Sequence, residues 1–198
     1  MLENIVDFVL NTVEAWGYAG IFAMMFLEST FFPFPSEVAM VPAGYLAYQG
    51  KMNIFLAITA GAFGSLFGAL LNYYLASTFG RKFLLKYGKY FFIKEETISK
   101  MEEFFKSHGH ISTFTGRLIP GIRQYISLPA GLSKMDIKEF AIYTLLGAGI
   151  WVIILALIGY FVGANEELIH QYIKQITVAI LMILAIFVFW YVKRGKKV

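Results

Sequence analysis

The feature that most constrains this chain is the run Glu28-Ser-Thr-Phe-Phe-Pro-Phe-Pro-Ser-Glu37, which sets two carboxylates and two prolines inside apolar sequence. Residues 15–27 before it and 38–50 after it carry no charge, 13 residues on each side. As helix each flank is about 20 Å long. A bilayer core of about 30 Å takes about 20 residues, so neither flank crosses it alone. Pro33 and Pro35 interrupt any single helix drawn through the run. The economical arrangement is a hairpin that dips into a membrane and turns back, its tip formed by Pro33, Pro35, Ser36 and the two carboxylates. Irregular backbone and charge at that depth require a lining of protein or water.

Composition agrees with a membrane setting. The 198 residues are 58% hydrophobic and 15% charged, with a mean hydropathy of +0.64, whereas a soluble domain carries about a quarter charged residues. The length suits one membrane domain over 1–198. There is no cysteine, hence neither a disulfide framework nor a thiolate metal site, and no cofactor is expected. Glu3, Asp7 and Glu14 stand where a cleavable signal peptide would be basic, so none is expected.

Taken in order, 1–14 reads as a short interfacial helix and 15–50 as the first hairpin, with Lys51 and Asn53 at an exposed edge. Residues 52–80 run without charge and are long enough to span. Gly61, Gly64 and Gly68 give this span a small face of the kind that packs helices closely in lipid. Asn72 is its strong polar group, suited either to a helix–helix hydrogen bond or to a site. The stretch 81–109 mixes seven Lys/Arg and four Glu with aromatic and aliphatic residues, as an amphipathic helix pair on the membrane surface would, and is expected to end near Gly109. A second special stretch, 110–133, embeds Arg117 and Arg123 around Pro120. A second span is expected at 140–165, a polar turn at 164–174 and a C-terminal span at 171–192, followed by the basic tail 193–197.

The two special stretches repeat. Pro33 and Pro120, Pro42 and Pro129, and Gly44 and Gly131 are each 87 apart; Gly64 and Gly147, and Gly80 and Gly163, are each 83 apart. Repeat 1 is 15–80 and repeat 2 is 110–165. Counting cations by the positive-inside rule puts the tail and 81–109 in the cytoplasm and Lys51 with the acidic N-terminus outside. The hairpins then enter from opposite faces. The expected fold is an all-α polytopic membrane protein: an inverted repeat of re-entrant hairpin plus transmembrane helix, with a cytoplasmic amphipathic segment and an extra C-terminal transmembrane helix. Inverted repeats whose broken helices meet near the midplane are a transporter plan.

At the meeting point stand Glu28, Glu37, Arg117 and Arg123. A guanidinium grips phosphate through two parallel hydrogen bonds and stays charged when buried. Two of them, with free backbone N–H groups near Gly121, suit an anionic headgroup. Gln124 and Tyr125 are secondary polar candidates beside Asn72. A buried carboxylate takes up a proton or pairs with an empty arginine. The same four groups also suit a purely structural ion-pair lattice. A lipid phosphatase using His108 and His110 is a rival, but residues at i and i+2 of a helix do not share a face and no carboxylate cluster accompanies them. A scaffold or insertion factor that thins the bilayer is another. Nucleic acid is not an expected partner, since the cations flank spans and suit anionic lipid; self-association into a homo-oligomer stays open.

The run Phe114-Thr-Gly-Arg117-Leu-Ile-Pro-Gly-Ile-Arg123-Gln-Tyr-Ile-Ser-Leu-Pro-Ala-Gly131 resembles the signature of the DedA family of integral membrane proteins. Glu28 with Pro-Phe-Pro-Ser-Glu37, and Asn72-Tyr-Tyr with Gly80-Arg81, are similar to its pattern, and the likeness covers about 15–165. The family often has Gly where Ser36 stands and Asp near Asn72. The resemblance implies a lipid transporter of the bacterial cytoplasmic membrane with two re-entrant hairpins, driven by proton motive force. Its implied substrate is undecaprenyl phosphate, returned for cell-wall synthesis, or a phospholipid such as phosphatidylethanolamine. It also implies membrane acids at Glu28 and Glu37 and required arginines at Arg117 and Arg123.

Overall fold

The computed structural model describes residues 2–30, 35–87, 95–119 and 121–163. Pro33, Pro120, the turn at 164–174, the C-terminal span at 171–192 and the basic tail lie outside the described residues. Among the described residues every regular element is helical: α1 Leu2–Glu28, α2 Glu37–Tyr48, α3 Ile54–Leu75 continuing into a π-helical turn Ala76–Gly80, α4 Arg81–Tyr87, α5 Glu95–Leu118, α6 Ser127–Leu132 and α7 Ile137–Val162.

α1 breaks at Gly17, whose φ of 57° and ψ of −149° are open to a residue without Cβ. The arm after the break, 18–28, is about 16 Å long and α2 about 18 Å, both shorter than a bilayer core. Two other helices are long enough. Ile54–Gly80 runs 27 residues and Ile137–Val162 runs 26. Their outward faces are apolar and uncovered: Phe55, Phe63, Phe67 and Leu71 on α3, and Ile142, Leu146 and Phe161 on α7. A soluble core helix would bury such rows; an apolar face of this extent belongs against lipid. This is a membrane protein, all-helical among the described residues, which hold two candidate membrane spans.

Each span begins on a side-chain cap. Asn53 Oδ1 accepts from the amides of Phe55 and Leu56 at 2.9 and 3.3 Å. Asp136 Oδ1 accepts from those of Lys138 and Glu139 at 2.9 and 3.1 Å. Both caps satisfy amides that the helix itself leaves orphaned. Asp136→Ala is expected to lower stability by about 1 kcal/mol, read as the shift in thermal unfolding of the detergent-solubilised protein.

Close packing comes from glycine. A Cβ on Gly64 would collide with the Phe22 carbonyl, and one on Gly68 with that of Phe26, so α1 and α3 touch through backbone. Gly147 of α7 gives the same proximity to α5, where an added Cβ would lie 2.6 Å from Arg117 Cβ and 3.0 Å from the Phe114 carbonyl oxygen. The Pro-Ala-Gly triplets pack crosswise. Gly44 of α2 abuts the Ala156 carbonyl of α7, and Gly131 of α6 abuts the Tyr73 carbonyl of α3. Gly44 and Gly131 are 87 apart, and Tyr73 and Ala156 are 83 apart, so the two contacts recur at the offsets of the sequence repeat. The apolar interior forms two clusters. One, around Ile21, Met25, Met40, Leu46 and Val152, joins α1, α2, α3 and α7; the other, around Tyr73, Phe105, Ile126 and Phe140, joins α3, α5, α6 and α7.

One expectation is corrected. The amphipathic segment does not end near Gly109; α5 passes through it and continues to Leu118. Gly109 serves close approach instead of termination: an added Cβ would meet Met135 Sδ at 3.1 Å. His108 and His110 therefore sit inside a helix. The His108 ring stacks on Phe104 and the His110 ring lies 5.7 Å from Tyr143.

Candidate functional site

Glu28 is the last residue of α1 and Glu37 the first of α2. A carboxylate at a helix N-terminus complements the dipole, whereas one at a C-terminus opposes it. Glu28 thus needs a cation, and Arg123 supplies it. That arginine lies in the irregular stretch between α5 and α6, where Gly121 turns the chain with φ 83° and the Arg123 amide donates to the Ile119 carbonyl at 3.1 Å. Its guanidinium stands 3.0 Å from Glu28 Oε1 and 3.8 Å from Glu37 Oε1. It donates to Ser36 Oγ at 2.8 Å and lies over the Trp151 ring, 5.0 Å from the centroid, within cation–π range. Trp151 Nε1 donates to the same Ser36 oxygen at 3.3 Å.

Arg117 closes the other side. It lies in the last turn of α5, is 2% exposed and donates to Ser127 Oγ at 2.8 Å. Its Nε has no hydrogen-bond partner among the described residues, which leaves a donor unspent in a buried place. Glu28, 3% exposed, is also bonded by the Ser29 hydroxyl at 3.1 Å. Glu28, Ser29, Ser65, Arg117, Arg123 and Trp151 border one cavity with Met25, Ala148 and Val152. Its free space is about 10 Å³, about enough for one water. The Glu28 carboxylate occupies this cavity beside Arg123.

The structure therefore gathers Glu28, Ser36, Glu37, Arg117 and Arg123. It does not bring Gly121, Gln124 or Tyr125 to the cavity: Gly121 and Tyr125 are exposed and Gln124 is half-buried. Pro35 begins the descent into α2, half-buried; Pro33 and Pro120 lie outside the described residues. Among the described residues no three of His, Cys, Asp and Glu gather as metal ligands.

With this geometry in view, residues 34–161 match the VTT domain. The chain belongs to the VTT-domain, or DedA, family. It is 34% identical to the uncharacterized membrane protein YkoX of Bacillus subtilis, over 99% of this chain and 89% of that one. It is 33% identical to an alkaline phosphatase-like protein of Lactococcus lactis, over 92% and 91% of the two chains. It is 30% identical to undecaprenyl phosphate transporter A of Bacillus subtilis, over 94% of each. No solved structure matches.

In this DedA-family protein Asn72 has one clear task. It is fully buried, and its Nδ2 donates to the Ser29 carbonyl at 3.1 Å, holding the end of α1 beside Glu28. Asn72→Leu is expected to cost about 1–3 kcal/mol, because that carbonyl is left buried and unpaired; thermal unfolding reads it. Sequence reasoning missed Trp151, Ser29, Ser65 and Ser127. Trp151 left a signal. It interrupts a mostly aliphatic helix near its middle, far from the interface where tryptophan in a span is common. The serines left none, since small polar residues recur throughout such helices.

Proposed function

We propose that this protein translocates a lipid phosphate across the bacterial cytoplasmic membrane, with undecaprenyl phosphate as the preferred substrate and a zwitterionic phospholipid such as phosphatidylethanolamine as the alternative. The observation that carries the reading is Arg123, a buried guanidinium shared among Glu28, Glu37 and Ser36 in a cavity with room for about one water. A headgroup phosphate competes with the carboxylates for Arg123 and for the unspent donor of Arg117. Once displaced, Glu28 does not stay ionised in that enclosure, since an isolated buried charge neutralises instead. Phosphate binding and protonation of Glu28 or Glu37 are thereby one event, and this is the coupling to proton motive force. The name of the Bacillus subtilis relative supports the choice of lipid.

The architecture is read as two units, 15–80 and 110–165, each a re-entrant hairpin followed by a span, with opposite orientation. The crosswise Pro-Ala-Gly contacts support it. So does the bond between Ser36 and Arg123, which are themselves 87 apart: equivalent positions that touch lie close to a twofold axis. Rocking of one unit against the other around that axis carries the headgroup from the outer to the inner side. The 2.9 Å Lys51–Glu14 ion pair supports a shared side for those two residues, outside in this orientation, with 81–109, the 171–192 span's end and the C-terminus on the cytoplasmic side.

Proteoliposomes test the proposal. Labelled undecaprenyl phosphate and phosphatidylethanolamine are offered separately, with and without an inward proton gradient, and both translocation and free phosphate release are followed. The expected result is gradient-dependent translocation of undecaprenyl phosphate, no phosphate release, and loss of translocation in Glu28→Gln and Arg117→Lys. Release of free phosphate would establish a phosphatase instead, and full activity of both variants would leave a scaffold.

A further inference from the structure

Leu75, Phe79, Phe83, Leu84, Leu128 and Leu132 line a groove of about 320 Å³, within the size range of small-molecule sites. It lies where the π-helical turn Ala76–Gly80 interrupts α3, and such turns recur at functional sites. α6 closes against its floor: a Cβ on Gly80 would meet Leu132 Cδ2 at 2.9 Å.

The groove is also tied to the polar site. α6 is six residues long; its first, Ser127, bonds Arg117, while Leu128 and Leu132 face the groove. Phosphate site and groove are thus separated by a single turn of helix. The wall is all carbon side chain apart from backbone, and Phe79 is exposed at its rim. We propose that this groove seats the hydrocarbon segment next to the phosphate of the lipid that Arg117 and Arg123 hold. The proposal rests on the function argued above. It gives the chain a grip on the tail as well as on the headgroup, and α6 is the partition between them.

The test is photolabelling of the full chain in nanodiscs with a polyprenyl phosphate carrying a diazirine in the isoprene units beside the phosphate. Adducts are mapped by mass spectrometry, with the matching polyprenol as the headgroup-free probe. Expected are adducts on Leu128, Leu132 or Phe79, weaker by about tenfold or more with the polyprenol and in Leu132→Trp and Leu128→Trp, each of which fills the groove. A prenyl phosphate too short to reach the groove binds both tryptophan variants as it does the wild type and fails to bind Arg123→Ala; that arm tests the phosphate site alone. Adducts elsewhere on the wild-type chain would overturn the proposal, whether or not either variant folds. Equal labelling by the polyprenol, or photocrosslinks from position 79 to residues 88–94 or 164–198, would overturn it too, since bulk lipid or the chain itself would then be the occupant.

Discussion

Arg123→Ala is expected to abolish the proposed translocation and to lower stability by about 3–5 kcal/mol, the usual result of stripping one partner from a buried ion pair. Glu28, 3% exposed, then faces no cation at 3.0 Å, and Ser36 loses its 2.8 Å donor. The two effects separate in the paired variant Glu28→Gln with Arg123→Met. With both charges gone, most of the stability returns, since an apolar pair in such a place is often no worse than an ionic one. Translocation is not expected to return, because the proposed phosphate ligand has lost its guanidinium. Thermal unfolding in detergent and flux in proteoliposomes, run on the same three proteins, check both halves. A paired variant that regains flux along with stability makes the cluster a structural lattice and nothing more.

Gly44→Leu is expected to be the most damaging single change outside the polar centre. Any Cβ on Gly44 collides with the Ala156 carbonyl and crowds the Tyr160 amide, both backbone atoms of α7 that cannot turn aside as a side chain can. Overpacking a well-filled contact costs about 1–3 kcal/mol, and here α2 must leave α7 altogether, so the upper figure is a floor. The same substitution at Gly131 strikes the Tyr73 carbonyl and the Ser77 amide and should behave alike. Gly149, with nothing within 4 Å of its missing Cβ, is the control: Gly149→Ala is expected to leave stability unchanged or to raise it by about 0.5–1 kcal/mol, the helical preference for alanine. Comparable losses at all three positions would mean that the damage has nothing to do with close backbone approach.

The parts of this molecule that were legible in advance are those where a residue type is costly in its setting. Four ionised side chains among apolar residues demanded partners, and Arg123 stands between Glu28 and Glu37. The repeated Pro-Ala-Gly stood out at one offset, and its two copies make equivalent contacts. What was illegible depends on neighbours distant in sequence. A glycine near polar residues reads as a stop, yet Gly109 is a spacer because Met135 lies against it. Gly17 reads as another small residue, yet the chain breaks there. The π-helical turn at Ala76–Gly80 has no marker in its composition.

In the proposed function, lipid phosphate takes the place of Glu28 on Arg123. A density map of the protein in nanodiscs saturated with undecaprenyl phosphate tests it most directly. Phosphate density is expected within about 3 Å of the Arg123 guanidinium, the span of a charge-assisted hydrogen bond, with Glu28 withdrawn from its 3.0 Å position. Phosphate density confined to the outer surface of α4 and α5, with the Glu28–Arg123 pair intact, would contradict it.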